Sequence, residues 1–302
     1  MSLQARIGRW LLVVLALLPV SGLALAALAP SGWWPAILAG HWAPQLALLA
    51  LPAWCWLGRR WYSGAAFGAL FAVALAPHVG AAYAAPAAPA AADGIVVSSV
   101  NLYARNPQRA AACARLEGDI VALIETLAPD REQLRSDPRW PHQHWELPRG
   151  HSGYALLSRF PLRARSLELA GAYGLEAELQ LPGQAARLLL LHAHSPRSPQ
   201  LAAANRQQLR LLAEYAARLS GPLIVLGDFN ATAAAPGLAA LRAVGLRAAA
   251  GPQPATWPSW LGPLGIGIDH ILVRDLAAAG PRAWRLPGSD HRAVSVRLAA
   301  LP

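Results

Sequence analysis

Lysine is missing from this sequence altogether: all 26 basic residues are arginine. Charge of either sign is scarce, at 14% of 302 residues, and cysteine occurs only as Cys55 and Cys113. So little cysteine excludes a disulfide-stapled scaffold, and no Cys/His pair has the spacing of a zinc site. Cys55 lies in an apolar run and Cys113 in the more polar part of the chain, so they are not expected to pair. The charge deficit is uneven. Between residues 10 and 85 the only ionised side chains are Arg59 and Arg60. A mean hydropathy of +0.31 therefore averages an apolar region with a more ordinary globular one.

Three apolar runs make up the first region. Trp10–Ala29 is long enough to cross a hydrocarbon core as a helix, a second run extends from Trp34 to Leu57, and a weaker third covers Trp61 to Ala82. His41, Gln45 and His78 interrupt them and suit helix interiors or interfaces better than an intramembrane site. Arg6 and Arg9 precede the first run and Arg59 and Arg60 follow the second, flanked by Trp54, Trp56, Trp61 and Tyr62 as in an interfacial aromatic belt. These arginines place the N-terminus and the second turn in the cytoplasm. The third span then delivers the remainder of the chain to the extracytoplasmic face of an inner membrane. Ala27-Leu28-Ala29 also resembles a signal-peptide cleavage site; cleavage there leaves two spans and the same outcome. The expected organisation is an anchor of about three transmembrane helices over 1–82, an Ala/Pro-rich, semi-stiff linker over 83–93, and one globular domain over 94–302.

The globular part holds 22 Arg against 15 Asp and Glu, an excess of +7. Such a field attracts phosphorylated substrates, anionic lipid headgroups or nucleic acid without choosing among them. A GC-rich coding bias produces the same Arg- and Ala-rich composition. Within this domain Ile95–Leu102 has strand character, Ala110–Leu127 carries apolar residues at helical spacing, and Leu201–Leu219 is a second helix stopped by Gly221-Pro222. Strands are expected near Tyr154–Ser158, Leu175–Leu181, Arg187–His192, Leu223–Leu226, Ile268–Val273 and Ala293–Leu298. Strand groups with long helices between them fit two packed sheets with helices outside.

Five short polar elements carry chemistry. Gly227-Asp228-Phe229-Asn230 follows a strand, setting a hard-oxygen ligand and an amide donor at a sheet end. Ser289-Asp290-His291 leads into the last strand and offers an acid beside a group able to take a proton near neutral pH. Ile268-Asp269-His270 opens another strand, where a buried Asp can orient a catalytic His. Glu125 ends the segment beginning at Asp119, on a helix or a following strand, and Asn101 ends the first strand. Taken singly, each has an ordinary reading as a turn or a solvated surface group.

Taken in chain order, the five elements resemble the endonuclease/exonuclease/phosphatase superfamily over essentially all of 94–302, and Leu156–Pro161 (LLSRFP) resembles its "S-R-x-P" turn. The resemblance implies an α+β, four-layer α/β/β/α sandwich and a hydrolase dependent on Mg²⁺ or Mn²⁺. It implies Glu125, Asn101 and Asp290 in the metal region, Asp228 and Asn230 positioning nucleophile and phosphate, and His291 at the scissile phosphate, oriented by Asp269. Either His192 or His194 takes the phosphate-contacting position, with His192, at the strand end, preferred. One departure concerns the metal: some nucleases of the superfamily have an Asp where this chain has Tyr103. The segment Trp257–Trp260 with Pro263–Asp269, the Asn205-Arg206-Gln207 helix and the anchor are similar to a bacterial membrane-anchored branch. That likeness implies a phosphorylated, lipid-linked substrate such as a pyrophosphate at the membrane. An exported nuclease acting on DNA or RNA is the alternative.

Overall fold

The computed structural model describes residues 17–30, 32–57, 61–82, 84–90, 94–148, 152–251 and 253–301. Arg6, Arg9, Arg59 and Arg60, on which the expected topology rests, lie outside them. The chain divides into two compact units, Met1–Tyr83 with Pro196–Ala203, and Ala84–Ser195 with Ala204–Pro302.

The first unit contains helices α1 (Leu17–Leu28), α2 (Trp34–His41), α3 (Ala43–Leu57) and α4 (Trp61–Ala82). Leu23, Ala43, Ala47, Ala50 and Ala74 form a small shared core. Among the described residues one helical stretch, Ser63–Ala82, is long and apolar enough to cross a membrane. The second apolar run is broken into α2 and α3 at Trp42, which has non-helical dihedrals. Pro44 explains the break: with no N–H to donate, it is accommodated in the first turn of a new helix and not inside a continuing one.

The second unit begins with part of the segment expected to be a semi-stiff linker. In part it is bonded: Ala87 N donates to Ala248 O at 2.8 Å, and Ala88 O accepts from Ala278 N at 2.7 Å. Two six-stranded sheets come next. The first has the order β11-β12-β1-β2-β4-β3, built from β1 (Ile95–Asn101), β2 (Ile120–Thr126), β3 (His142–Glu146), β4 (Gly153–Ser158), β11 (Ala277–Arg285) and β12 (Arg292–Ala299). The second has the order β5-β6-β7-β8-β10-β9, from β5 (Leu162–Leu169), β6 (Ala172–Leu181), β7 (Gln184–Leu191), β8 (Leu223–Asp228), β9 (Arg247–Ala248) and β10 (Asp269–Arg274). Each sheet contains one parallel pair, β1 with β2 and β7 with β8. The remaining neighbours are antiparallel.

The period-two alternation of strand side chains builds the layers. Ile120, Ala122 and Ile124 of β2 meet Leu188, Leu190, Ile224 and Leu226 of the other sheet in a core between the sheets. Val121 and Leu123 point the opposite way, onto Ala112 and Cys113 of α5 (Arg109–Ala114) and Leu134 of α6 (Ala128–Leu134). Leu189, Leu191, Leu223 and Val225 face Leu209, Leu212 and Ala216 of α7 (Pro199–Ala217) and Leu238 and Leu241 of α8 (Pro236–Ala243). The result is α+β, two mixed sheets with helices outside both.

The helix expected over Ala110–Leu127 needs correction. It ends at Ala114, and residues 120–126 form strand β2. A strand buried on both faces is apolar throughout, so its alternation is invisible in sequence. Gly118, at φ 129°, makes the turn between the two elements.

One glycine fixes the end of β8. Gly227 has φ 139°, and a Cβ there would stand 2.0 Å from Leu191 O. Replacing it with alanine combines backbone strain with a collision against a neighbouring strand, at a cost of about 2–4 kcal/mol. Gly227→Ala should therefore lower the Tm of the purified protein well beyond Gly183→Ala, which also has positive φ but meets no atom within 4 Å. Equal shifts would disprove the collision.

Candidate active site

The strand directions bring the polar elements to one end of the sandwich. The C-terminal ends of the parallel pairs β1/β2 and β7/β8 carry Asn101, Glu125, His192 and Asp228. Strand β10 runs antiparallel to β8, so its first residue, Asp269, lies directly opposite Asp228. Strand β12 runs antiparallel to β1, which sets His291, just before it, at the same end.

Side-chain hydrogen bonds join these residues across the two sheets. Asn101 Nδ2 donates to Glu125 Oε1 at 3.1 Å and to Asp228 Oδ2 at 3.2 Å. Its amide oxygen is taken by Tyr103 N at 2.9 Å. Asn101 thus orients two carboxylates. Asp269 Oδ2 accepts from His291 Nδ1 at 2.9 Å, turning His291 Nε2 toward Asp228 Oδ2 at 3.7 Å. His192 Nε2 stands 3.6 Å from the same oxygen. Asn230, at φ 48°, donates its backbone N–H to Asp228 Oδ1 at 2.9 Å and its Nδ2 to Ala193 O at 3.0 Å. Asp290 is held differently: its Oδ2 accepts from Trp257 Nε1 at 3.3 Å, and its buried Oδ1 has no partner.

The two histidines of His192-Ala193-His194 separate clearly. His192 faces Asp228, whereas His194 is tied through its backbone to Gln208 and Asn205 of α7. His270 lies outside the cluster as well. It is buried, bonded to Ala231 O and stacked on Phe229, and burial lowers its pKa.

Burial sets the electrostatics. Asp228 is 1% exposed, and burial, reinforced by the negative charge of Asp269, pushes its pKa up to about 6. His291 experiences the reverse balance. Burial opposes its charge, but the carboxylates of Asp269, Asp228 and Asp290 outweigh it and push its pKa up to about 10. A carboxyl near neutrality beside a cationic imidazole is a proton-transfer arrangement.

The donors also fit a divalent cation. Asp228, Asp269 and His291 each present a ligand atom within 4.8 Å of the others, and Asp269 Oδ1 is buried with no partner. Glu125 adds a carboxylate that shares the Asn101 amide with Asp228. An oxygen-rich set with unspent lone pairs suits Mg²⁺ or Mn²⁺.

Several supporting residues carried no local signal. Glu125 has φ 59° and is the extra residue of a bulge, with Ile124 opposite Tyr154 and Thr126 opposite Gly153. Tyr103, at φ 61°, has the other left-handed backbone on this side of the site. Arg109 grips both: Nη1 donates to Tyr103 O at 2.6 Å and Nη2 to Glu125 O at 2.8 Å. Its guanidinium is paired in turn with buried Asp130, which also accepts from Leu127 N. Ser289 Oγ ties His291 N to Asn101 O. Asn205 Nδ2 holds both His194 O and Phe229 O. A sequence signal did exist for Asn205 and Gln208: polar groups three apart on the apolar face of α7.

Known proteins share this fold. The family model described as "Endonuclease/Exonuclease/phosphatase family" matches residues 98–291, more than half of the chain. No curated protein matches the chain. Among solved structures, an endonuclease/exonuclease/phosphatase from Beutenbergia cavernae superposes with a TM-score of 0.54 at 16% identity, covering 68% of this chain and 71% of that one. Humanized D. rerio TDP2 gives 0.54 at 16% identity, over 68% and 99%. Staphylococcus aureus beta toxin with bound magnesium ions gives 0.52 at 13% identity, over 68% and 99%. At these identities the likeness is one of fold.

The Arg109–Asp130 pair generates a prediction. Removing one partner of a buried pair costs about 3–5 kcal/mol, and here it also frees the backbone on both sides of the site. Arg109→Ala should lower the Tm and weaken divalent-cation binding at least about tenfold by titration calorimetry, by analogy with groups that orient metal ligands. Unchanged cation affinity would show that Glu125 keeps its geometry without the clamp.

Proposed function

Because the chain belongs to the endonuclease/exonuclease/phosphatase family, whose members are metal-dependent hydrolases, we propose that it is a membrane-anchored phosphoesterase. In this reading it cleaves a phosphate ester or anhydride of a membrane-borne substrate, such as a lipid-linked pyrophosphate, at the extracytoplasmic face. The observation that carries the chemistry is the meeting of two hydrogen-bonded sets at one end of the sandwich, Glu125–Asn101–Asp228 and Asp269–His291, with His291 Nε2 3.7 Å from Asp228 Oδ2.

Glu125, Asp228 and the unpartnered Oδ1 of Asp269 would hold Mg²⁺ or Mn²⁺, with Asn101 fixing Glu125 and Asp228 and Asp290 contributing negative charge nearby. When bound, the cation supplies Lewis-acid polarisation of a phosphoryl oxygen and neutralises charge that develops on it. Asp228 would orient the attacking water and accept its proton. Asp269 fixes the ring of His291 through Nδ1, leaving Nε2 to donate to the phosphate. His192 approaches from the other side of Asp228, and Asn230 retains one amide hydrogen for a phosphoryl oxygen.

Anchoring is supported by the apolar helix Ser63–Ala82, and the orientation by the arginines at 6, 9, 59 and 60. A nuclease reading is favoured by one observation, the formal charge of +10. Phosphate-driven binding of nucleic acid weakens steeply with salt, so salt dependence separates that reading from hydrolysis of a membrane substrate.

Two experiments test these statements. Activity on a phosphodiester should vanish in EDTA and return with Mg²⁺ or Mn²⁺, and Glu125→Gln, Asp228→Asn and His291→Ala should each reduce kcat/KM by at least about 100-fold. Near-parental turnover in any two of the three would remove the site assignment. For orientation, a C-terminal alkaline phosphatase fusion should be active and a green fluorescent fusion dark; the opposite pattern puts the domain in the cytoplasm.

A further inference from the structure

We propose that the 3-10 segment Ser259–Leu264 is a bilayer-docking wedge that seats the catalytic end of the sandwich on a phospholipid surface. The inference deepens the membrane-borne reading of the substrate and rests on it.

Trp260 is 71% exposed and Leu264 58% exposed, whereas Trp140 of the same unit is 1% exposed. A tryptophan as exposed as Trp260 calls for a partner. No charged residue occurs from Ala248 through Ile268, so no ionised side chain in the segment resists transfer into a bilayer. The two tryptophans of the segment divide the work. Trp257 is scaffold: its Nε1 donates to Asp290, and its backbone forms a bridge with Ile266. Trp260 is the side chain presented outward.

The turn is fixed to the site at Ser259. Ser259 N donates to Asp290 O at 2.7 Å and Ser259 Oγ to Ser289 O at 2.8 Å, both on the turn that carries His291. A surface that takes up Trp260 is thereby held beside the reacting groups.

Two arguments favour lipid over protein. First, the chain has its own apolar helix, and only residues 83–86 separate Ala82 from Ala87, the first residue of the connection bonded to β9. Five Cα steps extend at most about 18 Å, so with that helix in a bilayer the sandwich stays at its surface. Second, two side chains supply a few hundred Å² at most, short of the roughly 1,200–2,000 Å² buried by a stable protein interface. Tryptophan at a lipid–water boundary needs no such area.

The test uses the full chain with Cys55→Ser, reconstituted in phosphatidylcholine/phosphatidylglycerol liposomes. An environment-sensitive nitrobenzoxadiazole probe is placed at Trp260→Cys, with Glu168→Cys, an exposed strand position, as control. The position-260 probe should shift to the blue and be quenched by doxyl lipids at least threefold more than the control. Equal quenching overturns the wedge, and so does a blue shift that disappears on diluting the protein per liposome, which indicates a second copy. Kinetics give an independent readout. The double variant Trp260→Ser/Leu264→Ser should lose at least tenfold in kcat/KM on a lipid pyrophosphate in liposomes while staying within twofold on soluble bis(p-nitrophenyl) phosphate. A parallel loss on both makes the turn structural and sinks the proposal. Quenching at position 260 in a parent protein that hydrolyses neither substrate keeps the wedge and rejects the phosphoesterase reading.

Discussion

Two buried carboxylates face one another across a single antiparallel register, Asp269 opposite Asp228, and much of the site's structure answers the repulsion between them. Neither has water to dissipate its charge. The available compensation comes from His291 and His192, from the amide of Asn101, and from the N–H of Asn230, whose left-handed backbone turns it toward Asp228. The elevated proton affinities of Asp228 and His291 record the same conflict from its two sides. A divalent cation would relieve it further, since Asp269 Oδ1 is buried with its lone pairs unspent.

The parts of this arrangement that could be read in the sequence are those whose geometry is local. Asp228 and Asn230 are two residues apart, and the bond between them is made within one turn. Ser289 and His291 are likewise joined inside their own motif. Arg109 and Asp130 had no such visibility, being 21 positions apart with no pattern in common. Their effect on Glu125 exists only once α5 and α6 are packed side by side.

Misread and unread elements have a related cause. Strand β2 is apolar on both faces because a layer packs on each, which erases the alternation that distinguishes strand from helix. Strand β11 (AAAGPRAWR) is illegible for the opposite reason: as an edge it tolerates Pro281 and a register shift between Ala279 and Arg282. The bonds of Ala87 to β9 and Ala88 to β11 explain how a segment of linker composition becomes ordered. It supplies backbone partners to the open edges of both sheets, where unpaired groups would otherwise invite association with other chains.

The site also bears on how the two sheets are aligned. Their shared interior is aliphatic, and apolar contact is non-directional, tolerating small sliding of one sheet over the other. Asn101 to Asp228 and His291 to Asp269 are different in kind. Each is a hydrogen bond from the β1/β12 side to the β8/β10 side, with a directional optimum and a large desolvation cost if it is not met. A displacement of the sheets by even half a residue would leave a buried carboxylate without its donor. The groups that assemble the chemistry therefore also set the register of the sandwich at that end, and the apolar layers supply the cohesion that keeps so much charge out of water.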